Sequence, residues 1–218
     1  HALLAISNQV APDSGDFCIR CHAPVAFVEG RSVPTDMSAF QPIDFEGINC
    51  NFCHRVVDQV YVDGVSPSVD EGILDDLAGQ ALLPPQGSNA RYVLDPIDNR
   101  RGPFDDIPSN VHIGFPQPEI YHSPHHSTAE FCWTCHDVSN PLMERQPDGT
   151  YQLGTLGAEH STGDQNDMMP LHRTYQEWLN SYYSGPGVQH HGRFGGNHPT
   201  GIMKGCQDCH MPDQQAFG

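Results

Sequence analysis

Cys18-Ile19-Arg20-Cys21-His22, Cys50-Asn51-Phe52-Cys53-His54, Cys132-Trp133-Thr134-Cys135-His136 and Cys206-Gln207-Asp208-Cys209-His210 are four copies of one pattern, C-x-x-C-H. Together they use all eight cysteines of the chain and leave none over. The spacing has a mechanical meaning. On one helical turn, residues i, i+3 and i+4 share a face. Two thiols and an imidazole then project to the same side, which suits two thioether bonds to the vinyl groups of a single haem and a ring nitrogen on its iron. Structural zinc also uses C-x-x-C pairs, but it does not require a histidine directly after the second cysteine. A disulfide framework would not impose the same two-residue gap four times. The expectation is therefore four covalent haem c groups. Cys18, Cys21, Cys50, Cys53, Cys132, Cys135, Cys206 and Cys209 would attach them, with His22, His54, His136 and His210 as the proximal ligands.

Each iron has a sixth position. Fourteen histidines are present, and outside the motifs stand His1, His112, His122, His125, His126, His160, His172, His190, His191 and His198. Bis-histidine ligation throughout is thus within the chain's means. His112 follows a Pro-rich acidic loop. His122, His125 and His126 lie shortly before Cys132, His172 opens the best helical pattern, and His198 lies shortly before Cys206. The expected distal ligands are His112, His126, His172 and His198, with His122 and His191 in reserve. Methionine is the competing ligand and would raise the potential. Met37, Met143, Met168, Met169, Met203 and Met211 are expected mainly to pack on porphyrin edges.

The rest of the composition suits a chain built around cofactors. Hydrophobic residues make up 37% of it and mean hydropathy is −0.48, so side chains alone supply a thin core. Twenty-one glycines and nineteen prolines in 218 residues exceed the average combined share of about 12% and favour turns over long elements. The expected fold is mostly irregular and loop-rich, with a few short α-helices and small β-hairpins packed around four haems. Residues 1–218 are read as a single domain.

Four elements stand out. Val56 to Tyr61 reads as a strand running into an Asp63-Gly64 turn. Residues 71–82 read as a weak helix with Ile73, Leu74, Leu77 and Ala81 on one side. Residues 142–146 and 151–153 read as a hairpin around Pro147-Asp148-Gly149. Residues 171–183 read as the best helix, with Leu171, Tyr175, Trp178, Leu179 and Tyr182 near helical spacing. Pro84-Pro85 is a candidate hinge. The motifs start unevenly, at Cys18, Cys50, Cys132 and Cys206, so this is no simple tandem repeat. The first two are nearest in sequence and are the expected stacked pair.

The formal net charge of −17 argues against nucleic acid, because only Arg100 and Arg101 sit together and nothing basic clusters to meet phosphates. It favours basic partners, cation-bearing mineral surfaces or simple solvation. No stretch reaches the roughly 20 apolar residues of a membrane span. The chain starts at His1 without a basic or apolar leader, which we read as a mature form. Haem c is attached outside the cytoplasm, so a periplasmic, secreted or surface location is expected. Asp95, Asp98, Asn99, Asp105 and Asp106 crowd around Arg100-Arg101. Calcium is conceivable there, but the spacing matches no EF-hand, and local Asp–Arg pairs in a solvated loop are the plainer reading.

Several blocks resemble recurring features of the multihaem cytochrome c families of anaerobic and metal-respiring bacteria. They are Phe45-Glu46-Gly47-Ile48-Asn49-Cys50 through Val56, Glu130-Phe131-Cys132 through Pro141, Arg173-Thr174-Tyr175-Gln176-Glu177-Trp178, and Cys206 through Pro212. The resemblance implies electron transfer with redox proteins or extracellular acceptors as partners. It also implies that His126, in its Ser123-Pro124-His125-His126 setting, is a distal ligand. The His- and Gly-rich stretch from Val188 to Gly201 departs from the pattern. Some four-haem extracellular cytochromes form conductive filaments, and the similar size and haem count suggest a homopolymer in which His1 ligates a haem of the next subunit. The alternative is a reductase with one open iron position, which would want basic residues beside it. The chain has ten lysines and arginines in all.

Covering most of a porphyrin contributes on the order of 10 kcal/mol at about 25 cal/mol per Å², and the thioethers crosslink the unfolded chain much as disulfides do. With every motif cysteine changed to Ala, the haem-free protein is expected to lose cooperative folding. Dispersed, cooperatively melting NMR signals from that variant would refute this.

Overall fold

The computed structural model describes residues 14–97, 99–107, 119–191 and 199–211. Among the described residues, regular structure comes in short pieces. The helices among these residues are α1 (Asp16–His22), α2 (Pro24–Val28), α3 (Cys50–Arg55), α4 (Ser68–Gly79), α5 (Glu130–His136), α6 (Thr174–Leu179) and α7 (Cys206–His210). The longest, α4, has 12 residues. The chain forms two compact units, one of residues 1–57, 94–101 and 108–120, the other of residues 58–93, 102–107 and 121–218. The Pro84-Pro85 dipeptide falls inside the second unit.

In the first unit α1 and α2 are separated only by the non-helical Ala23, at φ −146° and ψ 63°, with Pro24 in the first turn of α2, where its missing N–H costs nothing. Ile19, Ala23 and Ala26 are buried together, flanked by Phe27 and Phe40. This is a small core. Two buried ion pairs reinforce it, Arg31 with Asp44 and Arg101 with Asp95. Arg31 donates Nε to Asp44 Oδ2 at 2.8 Å and Nη2 to Oδ1 at 2.7 Å. The same carboxylate, 1% exposed, also takes the Gln41 N–H and so caps the 3-10 turn Pro42–Glu46. Gly47 then turns back with φ +69°, and a Cβ there would lie 3.3 Å from the His22 carbonyl. A glycine is therefore required where the chain leading to the second motif passes the end of the first.

The second unit carries a three-stranded antiparallel sheet in which Val138–Arg145 is central, between Tyr151–Leu153 and Met168–His172. The 142–153 hairpin pairs Met143 with Leu153 and Arg145 with Tyr151. Gly149 adopts φ +84°, and Asp148 Oδ1 accepts the Thr150 N–H at 3.0 Å, as an Asx turn requires. A separate ladder joins Val188–Gln189 to Ile202–Met203.

Three expected elements are corrected. The strand expected over 56–61 is confined to Val56–Val57, because Asp58 Oδ1 captures the Val60 N–H and turns the chain. The helix expected over 71–82 is Ser68–Gly79. Ala81, expected on its apolar side, is exposed at φ +56°. There the Leu82 N–H bonds back to the Leu77 carbonyl and closes the helix end. The helix expected over 171–183 is a strand through His172, a helix only over Thr174–Leu179, and a 3-10 turn at Tyr182–Ser184. Residues 168–172 gain ladder partners in Val138–Arg145, and that pairing overrides helical spacing.

Asp44 is held below the usual carboxylate value of 3.8, chiefly by its hydrogen bond with Arg31. A depressed folded pKa stabilises above the unfolded value and is lost as pH falls through the folded one. The stability gap between the native sequence and Asp44→Asn is therefore expected to be full near neutrality and to close as pH drops below 3.8. Denaturant unfolding of the two proteins, from neutral pH down into the acid range, measures it. A gap independent of pH would contradict the assignment.

Candidate haem attachment sites

All four C-x-x-C-H groups lie on helices: α1, α3, α5 and α7. Each cysteine pair and its histidine thus occupy one turn and one side, and none of the eight cysteines forms a disulfide. His22, His54, His136 and His210 are all exposed. Two of the helix starts are secured locally. Asn49 Oδ1 caps α3 through the Phe52 N–H at 2.9 Å, and Asp208 Oδ2 takes the N–H groups of Lys204 and Gly205 ahead of α7.

The second motif has the clearest ligand geometry. His54 Nδ1 lies 2.6 Å from the Arg101 carbonyl oxygen. A carbonyl only accepts, so Nδ1 carries the proton and Nε2 is left with its lone pair for a metal. The carbonyl is itself fixed. The Arg101 side chain is fully buried and donates to Asp95 Oδ2 at 2.8 Å. Asp95 also accepts from the Ile97 N–H at 2.7 Å and from Asn99. Arg55, next to His54, donates to the Asp95 carbonyl. Burial raises the Asp95 pKa, but Arg101 and the Ile97 amide outweigh it and leave a lowered value. The loop expected as solvated Asp–Arg pairs does hold such a pair, but sealed from water.

The third and fourth motifs are neighbours in the second unit. The Cys132 thiol hydrogen-bonds Cys206 and brings its pKa down to about 7 against the opposing effect of burial. Gln207 Nε2 donates to the carbonyls of His126 and Thr128, the latter at 2.6 Å. Trp133, inside the third motif, stacks on Tyr175 at 5.5 Å, and Tyr175 meets Trp178 at 5.4 Å. Trp178 Nε1 donates to the carbonyl of Lys204, just ahead of Cys206. Tyr175 is pushed up to about 12 by burial and by Glu130. Sequence spacing pointed to the first two motifs as the close pair. The closeness of the last two, far apart along the chain, comes from tertiary packing.

Of the expected distal ligands, His112 and His198 lie outside the described residues, as does His1. His172 is brought beside the third motif, with its ring centroid 5.4 Å from that of His136 and the planes at 79°. Burial first, then His172 and His210, lower the His136 pKa. His126 is buried against Phe131, ring centroids 4.6 Å apart, on the segment that Gln207 holds. Of the reserves, His122 and His191 are exposed. His190 is stacked on Tyr183 and bonded to its hydroxyl. His125 faces Asp58 at 3.6 Å; burial lowers its pKa and Asp58 partly offsets that. His160 was not singled out from sequence, yet its Nε2 is buried without a hydrogen-bond partner among the described residues. Met168 and Met203 are fully buried, while Met211 beside His210 is 65% exposed.

The residues present fit a haem. The thiols and histidine share a helical turn, His54 has its tautomer set for a metal, and large apolar side chains beside the second motif, Phe45 and Ile48, are 61% and 50% exposed. Among the described residues, no three His, Cys, Asp or Glu side chains converge to hold a metal ion; a haem iron takes only two protein donors, so this bears little on it. None of the helices described is long and apolar enough to cross a membrane. Comparisons with family models, with curated proteins and with solved structures returned no match.

Asp95→Asn would leave the fully buried Arg101 guanidinium uncompensated, which costs about 3–5 kcal/mol. Thermal or denaturant melts are expected to show a loss of that size. A loss below about 1 kcal/mol, the value of an exposed pair, would show that the cluster does not brace the second motif.

Proposed function

We propose that this chain is a tetrahaem c-type cytochrome that moves electrons outside the cytoplasm. The observation that carries the proposal is the fourfold C-x-x-C-H pattern with every copy on a helical turn, supported by the His54–Arg101 hydrogen bond that leaves Nε2 to a metal. When bound, the haems supply one-electron chemistry. The chain's own residues attach them, set each proximal imidazole, and tune potential through ligand, burial and nearby charge. Bis-histidine ligation and a surface of net charge −17 both favour the oxidised iron, so negative potentials are expected. Redox proteins or extracellular acceptors are the proposed partners. Assembly into a filament through His1, ligating a haem of the next copy, is part of the same proposal.

The contact between Cys132 and Cys206 supports a short electron path between the third and fourth groups. Mass spectrometry of protein matured with haem c machinery is expected to show four covalent haems, and three after both cysteines of any one motif are changed to Ala. Potentiometric titration is expected to place most of them below zero against hydrogen. Absence of covalent haem would end the proposal, and several haems well above zero would overturn the ligation it assumes.

A further inference from the structure

Asp137 directly follows His136, and Arg173 directly follows His172. The second residues of these two pairs are locked together. Arg173 Nη1 donates to Asp137 Oδ1 at 2.8 Å, and the carboxylate is fully buried. Gln165 completes the cluster: its Nε2 donates to Asp137 Oδ2 at 2.9 Å, and its carbonyl accepts Arg173 Nη2 at 2.8 Å. Val138 pairs with His172 in the adjoining ladder. Two separate devices, one ionic and one a backbone register, therefore hold His172 across from His136.

We propose that the buried Asp137–Arg173 pair is a positioning device that presents His172 as the sixth ligand of the haem on the third motif. The inference rests on the tetrahaem reading and deepens it. His172 Nε2 is bonded to the Thr174 hydroxyl, a partner it would give up to ligate an iron. Arg173 touches no reacting atom; it acts through the backbone that carries His172. A lysine at 173 could keep the charge beside Asp137 but lacks the guanidinium fork that reaches both Asp137 and the Gln165 carbonyl.

The test uses the haem-loaded protein and reads spin state rather than activity. In His172→Ala, one haem in four is expected to become high-spin in the ferric spectrum and to bind carbon monoxide when reduced, with all four thioether-linked haems retained by mass. In a background lacking the third haem, through Cys132→Ala and Cys135→Ala, adding His172→Ala should leave the other three low-spin. Arg173→Ala and Asp137→Asn are expected to shift the same haem in the same direction. Arg173→Lys should return part of the low-spin signal, and added imidazole should restore it in every variant, which separates a lost ligand from a lost fold. Four low-spin haems in His172→Ala would overturn the ligand assignment. A response to His172→Ala with none to Arg173→Ala or Asp137→Asn would overturn the positioning role. Failure of the native sequence to carry covalent haem would instead strike the tetrahaem reading itself.

Discussion

Three arginines clamp three aspartates whose carboxylates are sealed from water: Arg31 on Asp44, Arg101 on Asp95 and Arg173 on Asp137. In a protein with a large apolar core such pairs would be a doubtful source of stability, since desolvation can outweigh attraction. Here the buried apolar cluster of the first unit is Ile19, Ala23 and Ala26 with Phe27 and Phe40 partly buried against it, and each carboxylate gathers further donors from its own neighbourhood. Once the carboxylate is buried, its hydrogen bonds must all be satisfied, and that requirement fixes loops that propensity alone would leave undefined.

The clamps stand next to the histidine chemistry. Asp44 orders the turn that leads past His22 into the second motif. Asp95 and Arg101 hold the carbonyl that sets the His54 tautomer. Asp137 and Arg173 flank His136 and His172 in sequence and join them in space. An acidic chain with ten basic residues thus places three of its arginines against buried carboxylates, each within reach of a motif. A guanidinium is suited to this because its planar fork can satisfy a carboxylate and a neighbouring carbonyl together.

Much of the candidate site was legible. Residue type and spacing alone place two thiols and an imidazole on one turn, and all four motifs lie on helices. The 142–153 hairpin was readable because Pro147-Asp148-Gly149 carries its own turn chemistry. The helix expected from Leu171 was not, because periodicity over a short segment cannot register a ladder partner as distant in sequence as Val138–Arg145. His160 carried no local signal at all, and only the burial of its Nε2 draws notice.

The amino-acid sequence by itself determined the number of C-x-x-C-H groups and the placing of two thiols and an imidazole on one turn in each, because local helical geometry follows from the spacing within each motif. It also determined the scarcity of regular structure, through its glycines, prolines and thin apolar content. Which motifs stand together was decided only by tertiary structure. The contact of Cys132 with Cys206, the approach of His172 to His136 and the clamping of Asp44 and Asp137 all join segments well separated along the chain. Such contacts depend on which partner offers a buried charge its full set of donors, and no local pattern encodes that choice.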